Sequence, residues 1–242
     1  MKDKGTSATD FDKTREQIHR QMLSAVSHDL KTPLATIIGS LEVYTRMEGK
    51  LSQEKKMMLI KCALVEAYRL DDFMTNILDM AKLENGLVKI RKESCDLTTL
   101  LQDSVTRIGS RAEQGSIKLQ YKGKRDKTVV CTDPILLGKA VGILLDNALK
   151  HAVKQPIIKV EYGLIENNAY IRVCDNGPGI APKNMEDIFS KYACFSQNDQ
   201  QNAGIGLGLS ICRQIMILLS GSVTVENRPE GGADFILTCP SQ

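Results

Sequence analysis

The chain has 242 residues, of which 42% are hydrophobic, so it can bury the core of one large domain or of two ordinary ones. Its 32 basic and 29 acidic residues leave a formal net charge of +3, which is too small to indicate binding to nucleic acid or to an anionic membrane. The seven cysteines are scattered singly, without a C-x-x-C pair, which favours a reducing cytosol over disulfides or structural zinc. We therefore expect a cytoplasmic globular protein.

The sequence contains no stretch that resembles a membrane span or a secretory signal. The longest apolar candidate, Leu209–Leu219, is interrupted by Arg213 and Gln214, and it falls short of the roughly 18 apolar residues that a span needs. Residues 1–17 are polar and charged, which predicts a linker. We expect no membrane contact within this sequence, although a membrane-anchored parent protein stays open.

Two long amphipathic helices are predicted for residues 18–86. In the first helix the apolar residues recur in steps of three and four, which defines one helical face. They are Ile18, Met22, Val26, Leu30, Leu34, Ile37 and Leu41. Gly49 ends this pattern, Ser52 is a candidate N-cap, and a second helix runs to about Leu83 before an Asn-Gly pair. The pattern predicts a helical hairpin.

The second helix carries more apolar surface than one partner helix can cover. Its two stripes consist of Met57, Ile60, Leu64, Ala67 and Met74, and of Leu70, Phe73, Ile77 and Met80. We expect a second copy of the chain to cover the excess in a homodimeric four-helix bundle. The alternative is a hairpin that packs against the second half of its own chain.

Residues 87–242 alternate between short strand-like runs and helical patterns, which predicts an α/β sandwich with a mixed sheet and helices on one face. Strands are predicted at 87–91, 117–121, 128–132, 157–162, 169–175, 222–226 and 233–239, and helices at about 96–113, 134–152 and 207–219. The short polar connection between 157–162 and 169–175 predicts a β-hairpin. The fold class is therefore multidomain, an all-α hairpin followed by an α/β domain, with the boundary near residue 86.

The first helix contains a histidine with unusual neighbours. Because His28 projects away from the predicted apolar stripe, it should face solvent. Asp29 is able to hold the imidazole in one tautomer and to leave the other nitrogen free as a nucleophile. Thr32 shares the face of His28, and Pro33 costs a helix interior about 3 kcal/mol. A lone helical histidine is usually an ordinary surface residue, but this combination favours a reactive one.

Two further segments carry polar groups that suit a nucleotide. Asn147, Lys150 and His151 share one face at the end of an apolar helix. There an amide oxygen can ligate Mg²⁺ and an ammonium can neutralise phosphate. Asp175 follows a strand, and its carboxylate can accept a hydrogen bond from an exocyclic amine. Taken alone, these segments could equally be an ordinary polar helix end and a turn.

Glycines in two clusters permit positive φ angles and close backbone approach. They are Gly177 and Gly179, which follow Asp175, and Gly204, Gly206 and Gly208. The second cluster opens a helix that begins near Leu207, where backbone N–H groups and the positive helix end can face phosphates. It is not the dinucleotide fingerprint, because it does not follow the first strand of a βαβ unit. The polar residues 182–203 predict a mobile lid over the nucleotide.

These motifs, taken in order, resemble those of the sensor histidine kinases. Residues 27–34 resemble the H box of the HisKA type and are similar to the potassium-responsive sensor type. The second half resembles the GHKL-type ATP-binding domain, so the resemblance covers about residues 18–242. It implies that His28 is the phosphoacceptor, that Asp29 is its acidic helper, and that Thr32 supports dephosphorylation of a partner response regulator.

The resemblance also implies ATP and Mg²⁺ as cofactors and assigns their contacts. By similarity to the N box, Asn147 binds Mg²⁺, Lys150 binds the phosphates, and His151 lies on the nucleotide face of the pocket. By similarity to the G1 box, Asp175 reads the adenine amino group. The other nucleotide-binding residues implied are Gly177, Gly179, Lys191, Gly204, Gly206, Leu207 and Gly208.

Two positions depart from the family's pattern. Ile143 stands where the family usually carries an asparagine, and Cys194 stands where an arginine near the transferred phosphoryl group is expected. Loss of that charge weakens transition-state stabilisation, since phosphoryl transfer depends mainly on positioning and electrostatics. We therefore expect nucleotide binding to survive these changes better than catalysis.

The prediction is an ATP-dependent histidine autokinase, dimeric through its hairpin, that passes the phosphoryl group from His28 to an aspartate of a response regulator. The alternative is a kinase-impaired module that binds ATP weakly and mainly docks or dephosphorylates its regulator. A third class, a GHKL ATPase with a conformational cycle, lacks the catalytic glutamate expected where Ile143 lies. No nucleic-acid partner is expected, and the chain is either cytoplasmic or the soluble part of an inner-membrane sensor.

Overall fold

A computed structural model describes residues 27, 30–47, 49–109, 116–121, 128–151, 156–191 and 206–242. The chain divides into two compact units, residues 1–75 and 76–242. Because helix α2 (Gln53–Glu84) continues across this division, compactness does not test the predicted domain boundary near residue 86, which stays a prediction.

The first unit is a helical hairpin, as the apolar periodicity predicts. Residues 30–46 form helix α1, and α2 follows after a short connection. Ser52 caps α2, since its Oγ accepts a hydrogen bond from the backbone N–H of Lys55 at 3.4 Å. None of the helices in the described ranges combines the length and the apolar character that a bilayer span requires.

The hairpin leaves most of its apolar side chains exposed in a single chain. Among the described residues of the first unit, only Pro33, Ser40, Ala63 and Phe73 are buried. The exposed hydrophobic residues come from both helices and include members of the predicted stripes, namely Leu34, Leu41, Met57, Ile60, Leu64 and Met74. A large exposed apolar surface of this kind is typical of a surface that another protein covers.

The second unit is an α/β domain built on a mixed sheet. Its elements follow the chain as β1 (Glu93–Asp96), α3 (Leu97–Gly109), β2 (Ser116–Tyr121), β3 (Val129–Thr132), α4 (Pro134–His151), β4 (Ile157–Ile165), β5 (Asn168–Cys174), α5 (Gly208–Leu218), β6 (Ser222–Asn227) and β7 (Ala233–Pro240). The main sheet has the strand order β2, β4, β5, β7, β6. β2 and β4 pair in parallel and the other neighbours are antiparallel, so the predicted mixed sheet and its β4–β5 hairpin are confirmed.

The core of the second unit lies between this sheet and helices α3, α4 and α5. Successive residues of a strand point to opposite faces, and the apolar ones alternate inward along β4, β5 and β7. The register places Val160 opposite Val173, and Val173 opposite Phe235, so buried side chains form a continuous row across three strands. From the helix side, Leu144 and Leu145 of α4 are fully buried in the same cluster.

The prediction of a strand at 87–91 was wrong. Residues 87–92 are not in a strand, and the first strand begins at Glu93, in a two-stranded antiparallel pair with β3. The physical reason is a side-chain contact, because the backbone N–H of Arg91 donates to Asp133 Oδ2 at 2.8 Å. This hydrogen bond ties the segment to the start of α4, whereas a strand would need a ladder of backbone bonds.

The last turns of α2 belong to the second unit. Met80 and Leu83 are buried in its core cluster, and Asp79 forms an ion pair with Lys139 of α4. Gly86 follows the helix with a φ of 63°, the left-handed conformation that commonly ends helices. The predicted Asn-Gly stop signal is therefore confirmed.

Candidate functional site

Asp133 fixes the start of α4, which is the central helix of the candidate site. Its Oδ1 accepts hydrogen bonds from the backbone N–H groups of Ile135 at 3.1 Å and Leu136 at 3.0 Å. Pro134 occupies the first helical position, where no N–H group is needed. An aspartate followed by proline is a readable helix-start signal, and it was missed from the sequence. This start sets which residues of α4 face the core.

The end of α4 carries the predicted polar face. Asn147 is half-buried, whereas Lys150 and His151 are exposed. Lys150 Nζ lies 2.6 Å from Asp146 Oδ2, and both side chains are more than a third exposed. An ion pair this exposed contributes little stability, so the ammonium can exchange its partner for a phosphate at small cost.

Asp175 is the most strongly fixed polar group of the site. The residue is only 4% exposed, and its Oδ1 accepts hydrogen bonds from the backbone N–H groups of Gly177 at 2.8 Å and Ala233 at 3.2 Å. No residue in the described ranges donates a hydrogen bond to Oδ2. One oxygen is therefore used to hold the carboxylate in place, and the other can accept a hydrogen bond from a ligand.

The two glycines after Asp175 are required by close contacts. A Cβ atom on Gly177 would lie 2.7 Å from the carbonyl oxygen of His151, so the loop packs directly against the end of α4. Gly179 has a φ of 75°, and a Cβ atom there would lie 2.9 Å from Asn227 Oδ1. Both positions confirm the expectation of close backbone approach, and one of them confirms the expectation of a positive φ.

The start of α5 presents uncapped backbone N–H groups. Gly206 has a φ of 67°, Leu207 precedes the helix as its N-cap, and the apolar side chain of Leu207 cannot cap it. A Cβ atom on Gly208 would lie 3.3 Å from Cγ2 of Ile143, so this helix start packs against α4. Gly204 lies outside the described residues.

Helix α4 joins the two glycine segments. Ile143 meets Gly208 at one point of the helix, and the backbone of His151 meets Gly177 at another. Asn147 lies four residues from each, on the same helical face. The structure therefore brings Asn147, His151 and both glycine segments together along one side of α4.

The groups on this side of α4 fit a purine nucleotide with Mg²⁺. The carboxylate of Asp175 matches an exocyclic amine, and the N-terminal N–H groups of α5 match phosphate oxygens. The amide oxygen of Asn147 is a hard ligand of the type that Mg²⁺ accepts when substrate phosphates supply its other contacts.

Of the other predicted site residues, Lys191 and Thr32 are among those that the structure describes. Lys191 forms an ion pair with Glu84 at the end of α2. Thr32 is exposed on α1, where its carbonyl accepts a hydrogen bond from Thr36 Oγ1 at 3.1 Å. His28, Asp29 and Cys194 lie outside the described residues, as does most of the predicted lid at 182–203.

Two buried cysteines on elements of the site do not supply a nucleophile. Burial raises the pKa of Cys212 to about 12, and its thiol lies 3.9 Å from the carbonyl oxygen of Ala140. Burial, followed by the hydrogen bond to Asp234 and its charge, raises the pKa of Cys174 to about 12. Both thiols stay protonated near neutral pH, so any chemistry at the site depends on the other groups.

The turn between β6 and β7 also contacts the site and was missed from the sequence. Asn227, the last residue of β6, with which the turn begins, and Arg228 donate hydrogen bonds to the backbone of the 175–180 loop. The local signal was an Asn-Arg-Pro-Glu-Gly-Gly run, which marks a turn but does not say which segment the turn will meet.

Two known families match separate parts of the chain. Residues 132–242 match the family described as "Histidine kinase-, DNA gyrase B-, and HSP90-like ATPase". Residues 18–86 match the "His Kinase A (phospho-acceptor) domain". The chain belongs to the sensor histidine kinase family. The resemblance drawn from the H box and from the glycine motifs is thereby confirmed, and so is the fold class.

Individual histidine kinases agree with this membership. The sensor protein KdpD of Escherichia coli strain K12 is 34% identical over 234 residues, which cover 94% of this chain and 25% of KdpD. The chain thus spans a quarter or less of the first curated relatives it matches. The structure of histidine kinase ThkA in complex with response regulator TrrA has a TM-score of 0.70 at 21% identity, covering 99% of this chain and 68% of that one. Full-length ShkA in complex with AMPPNP has a TM-score of 0.64 at 23% identity, covering 91% and 45%. At these identities the two structures show the shared fold.

Proposed function

We propose that this chain is the core of an ATP-dependent protein-histidine autokinase that phosphorylates His28 and passes the phosphoryl group to an aspartate of a response regulator. The observation that carries the proposal is the Asp175 carboxylate, in which two backbone N–H groups fix Oδ1 and no described residue donates to Oδ2. A buried, fixed carboxylate with one accepting oxygen left suits the amino group of adenine. Family membership indicates the chemistry that such binding serves.

The phosphates are proposed to lie between the start of α5 and the polar face of α4. The first N–H groups of α5 and the helix dipole attract negative charge. Lys150 adds a positive charge that can move to a phosphate, because its ion pair with Asp146 is exposed and therefore weak. Lys191, now paired with Glu84, is proposed to join them when the lid closes. Bound Mg²⁺ supplies charge neutralisation of the phosphates, and Asn147 is the residue proposed to hold it.

The proposed transfer joins an unprotonated imidazole nitrogen of His28 to the γ-phosphorus. The bond from that phosphorus to the β–γ bridging oxygen breaks, and the oxygen leaves as part of ADP. Asp29 is proposed to hold the N–H of the other imidazole nitrogen and to stabilise the resulting positive charge. These two roles rest on the H-box resemblance and on the match of residues 18–86. Thr32, exposed on α1, is proposed to position a water when the regulator is dephosphorylated.

The hairpin is proposed to form a homodimer and to dock a response regulator. Exposed apolar side chains on both helices support the dimer, because a four-helix bundle would bury them. The ThkA structure contains a response regulator, which supports a partner of the same kind here. We propose a cytoplasmic location for this core, whether or not the whole protein is anchored in a membrane.

A second candidate function, a kinase-impaired module, is favoured by Ile143. Its side chain packs beside Gly208, so the wall of the pocket next to the start of α5 is apolar where the family carries an asparagine. An isoleucine offers no oxygen to a metal and no hydrogen bond to a phosphate. Under this alternative the chain binds ATP weakly and acts mainly on its phosphorylated regulator.

The direct test is incubation with γ-labelled Mg-ATP, with the wild type, His28→Ala and His19→Ala compared. His19 is a matched control, because it lies nine residues earlier in the same predicted helix and outside the H box. The autokinase proposal predicts acid-labile label on the wild type and on His19→Ala, and none on His28→Ala. Label that persists in His28→Ala would refute the assignment of the acceptor.

The alternative is tested by restoring the family's residues. If the departures at Ile143 and Cys194 impair the kinase, the double substitution Ile143→Asn with Cys194→Arg raises the labelling rate at least about tenfold. A calorimetric titration with Mg-ADP separates this change from a change in nucleotide affinity. An unchanged labelling rate at saturating ATP would argue against the kinase-impaired module.

A further inference from the structure

The turn between β6 and β7 holds the far end of the 175–180 loop through Asn227. The side-chain amide makes two hydrogen bonds to one residue, since its Oδ1 accepts from the N–H of Ile180 at 2.8 Å and its Nδ2 donates to the carbonyl of Ile180 at 2.7 Å. Such a pair of contacts fixes both the position and the orientation of a peptide unit. The loop is therefore anchored immediately after its last glycine.

Arg228 of the same turn holds the near end of the loop. Its Nη1 donates to the carbonyl oxygen of Asp175 at 3.2 Å, and its Nε lies 3.5 Å from Asp234 Oδ1. The third guanidinium nitrogen, Nη2, pairs with Glu230 within the turn. Because the planar guanidinium contacts three groups at once, its position is set by the turn and by the sheet together, although Asp234 Oδ1 lies at ion-pair distance and receives no hydrogen bond from it.

The backbone of the turn also approaches the loop more closely than a side chain would allow. A Cβ atom on Gly232, which has a φ of 92°, would lie 2.1 Å from the carbonyl oxygen of Asp175. The next residue, Ala233, exchanges contacts with Asp175, since its carbonyl accepts from the Asp175 N–H at 3.0 Å and its N–H donates to Oδ1 at 3.2 Å. Both the main chain and the carboxylate of Asp175 are thus located by this turn.

We propose that Asn227 and Arg228 are positioning residues for base recognition, which act by holding the Asp175 carboxylate in the orientation that accepts the adenine amino group. The inference rests on the proposed function, because it assumes that Asp175 contacts the base. Neither side chain touches the base. Each acts through the loop backbone, Arg228 on the residue that carries the carboxylate and Asn227 on the peptide that closes the loop.

The position and the hydrogen bonds of Asn227 distinguish a positioning role from a general contribution to stability. Asn227 is exposed and spends both polar atoms of its side chain on Ile180, a residue 47 positions away, and none on its own turn. Burial of apolar surface does not explain such a residue. Ordering the loop before the ligand arrives removes an entropic cost from binding, and aiming the carboxylate gives selectivity for an amine over a carbonyl.

The test compares ADP with inosine diphosphate, which carries a carbonyl oxygen where adenine has its amino group. Calorimetric titrations in Mg²⁺ are made on the wild type, Asn227→Ala, Asn227→Asp and Arg228→Lys. Matched controls are Asn168→Asp, at the exposed start of β5, and Arg213→Lys, on the exposed side of α5. Asn227→Asp keeps the acceptor for the Ile180 N–H and loses the donor to the Ile180 carbonyl.

We expect ADP affinity to fall about tenfold in Asn227→Ala and by less in Asn227→Asp and Arg228→Lys, in line with the loss of one or two hydrogen bonds. The ratio of ADP affinity to inosine diphosphate affinity falls with it, because the carboxylate no longer favours the amine. This ratio does not depend on the folded fraction, and Asn227→Asp decides the question if Asn227→Ala fails to fold. The controls keep the wild-type ratio.

Two failures are distinguishable. If the wild type itself binds no adenine nucleotide, the proposed function is wrong. If the wild type binds ADP and every variant keeps the wild-type ratio, the proposed function stands and the positioning role of Asn227 and Arg228 is overturned.

Discussion

The hairpin and the α/β unit bury their apolar residues to very different extents. In the α/β unit, Leu144, Val160 and Phe235 are at most 2% exposed within one chain. In the hairpin, Leu64 and Val65 remain 50% and 63% exposed. Since apolar burial is the main stabilising term in folding, the α/β unit has the core of a domain that is stable alone, whereas we propose that the hairpin buries its exposed apolar face against a second protein surface.

The two regions also differ in how they use charged groups. The hairpin's ion pairs lie on its surface, as between Arg46 and Glu42, which are 3.8 Å apart and largely exposed. The α/β unit instead buries the carboxylates of Asp133 and Asp175 and directs backbone N–H groups at them. Fixed, buried polar groups suit recognition of a small ligand, and an open apolar face suits a macromolecular partner. The proposed division of labour, nucleotide in one region and dimer in the other, follows from this difference.

The largest expected effect is on the stability of the α/β unit. Phe235 is buried and meets Phe189 edge to face at a ring distance of 6.4 Å, so Phe235→Ala leaves a cavity at the centre of the core. We expect the free energy of unfolding of this unit to fall by about 3–5 kcal/mol, measured by chemical denaturation. The exposed Ile165 is the control, since Ile165→Ala should change that free energy by less than about 0.5 kcal/mol. Equal losses in the two variants would contradict the assignment of the core.

A smaller effect is expected on association through the hairpin. Leu64→Glu places a charge in the surface proposed for the dimer, so the dimer dissociation constant rises at least about tenfold in sedimentation experiments. Ile165→Glu makes the same kind of change at an exposed hydrophobic residue of the α/β unit and leaves the dissociation constant unchanged. If the dimer weakens in Ile165→Glu but not in Leu64→Glu, the interface lies on the α/β unit and the proposed dimer surface on the hairpin is wrong.

The smallest expected effect is at the start of α2. Ser52→Ala removes the N-cap acceptor of the Lys55 N–H, whose hydrogen bond is long at 3.4 Å, so the hairpin loses only about 0.5–1 kcal/mol. Thermal unfolding of the wild type, Ser52→Ala and Ser52→Thr measures this loss, with the threonine expected to retain the cap. Nucleotide affinity should not change, because Ser52 lies in the other unit.

Local patterns in the sequence predicted most of the helices and strands. The apolar periodicity of 18–86 is typical of amphipathic helices, and the alternation along β4, β5 and β7 reports burial on one face of a sheet, so the hairpin and the sheet were predictable. The strand at 87–91 failed because Leu87 and Ile90 look like strand residues but are exposed, and Arg91 is bound by a side chain. Alternation alone does not show whether a partner strand exists.

Contacts between distant segments were not predictable from local patterns. The hydrogen bond from the Ala233 N–H to Asp175 spans 58 residues, and those between Ile180 and Asn227 span 47. The turn at 227–232 was readable as a turn, but its role depends on the strand order that brings β6 and β7 beside β5. The glycines of the pocket were readable because their chemistry is local, whereas the side chains that hold the loop are not near it in sequence.

The most direct measurement of the central claim is the affinity of the chain for Mg-ADP in the wild type, Asp175→Asn and Asp103→Asn. The asparagine at 175 can still accept hydrogen bonds on Oδ1 but loses the charged acceptor for the adenine amine, whereas Asp103 is an exposed carboxylate of α3. We predict saturable binding by the wild type, a loss of at least about tenfold in Asp175→Asn, and no change in Asp103→Asn. Absence of binding by the wild type, or equal binding by Asp175→Asn, would contradict the assignment of this pocket to an adenine nucleotide.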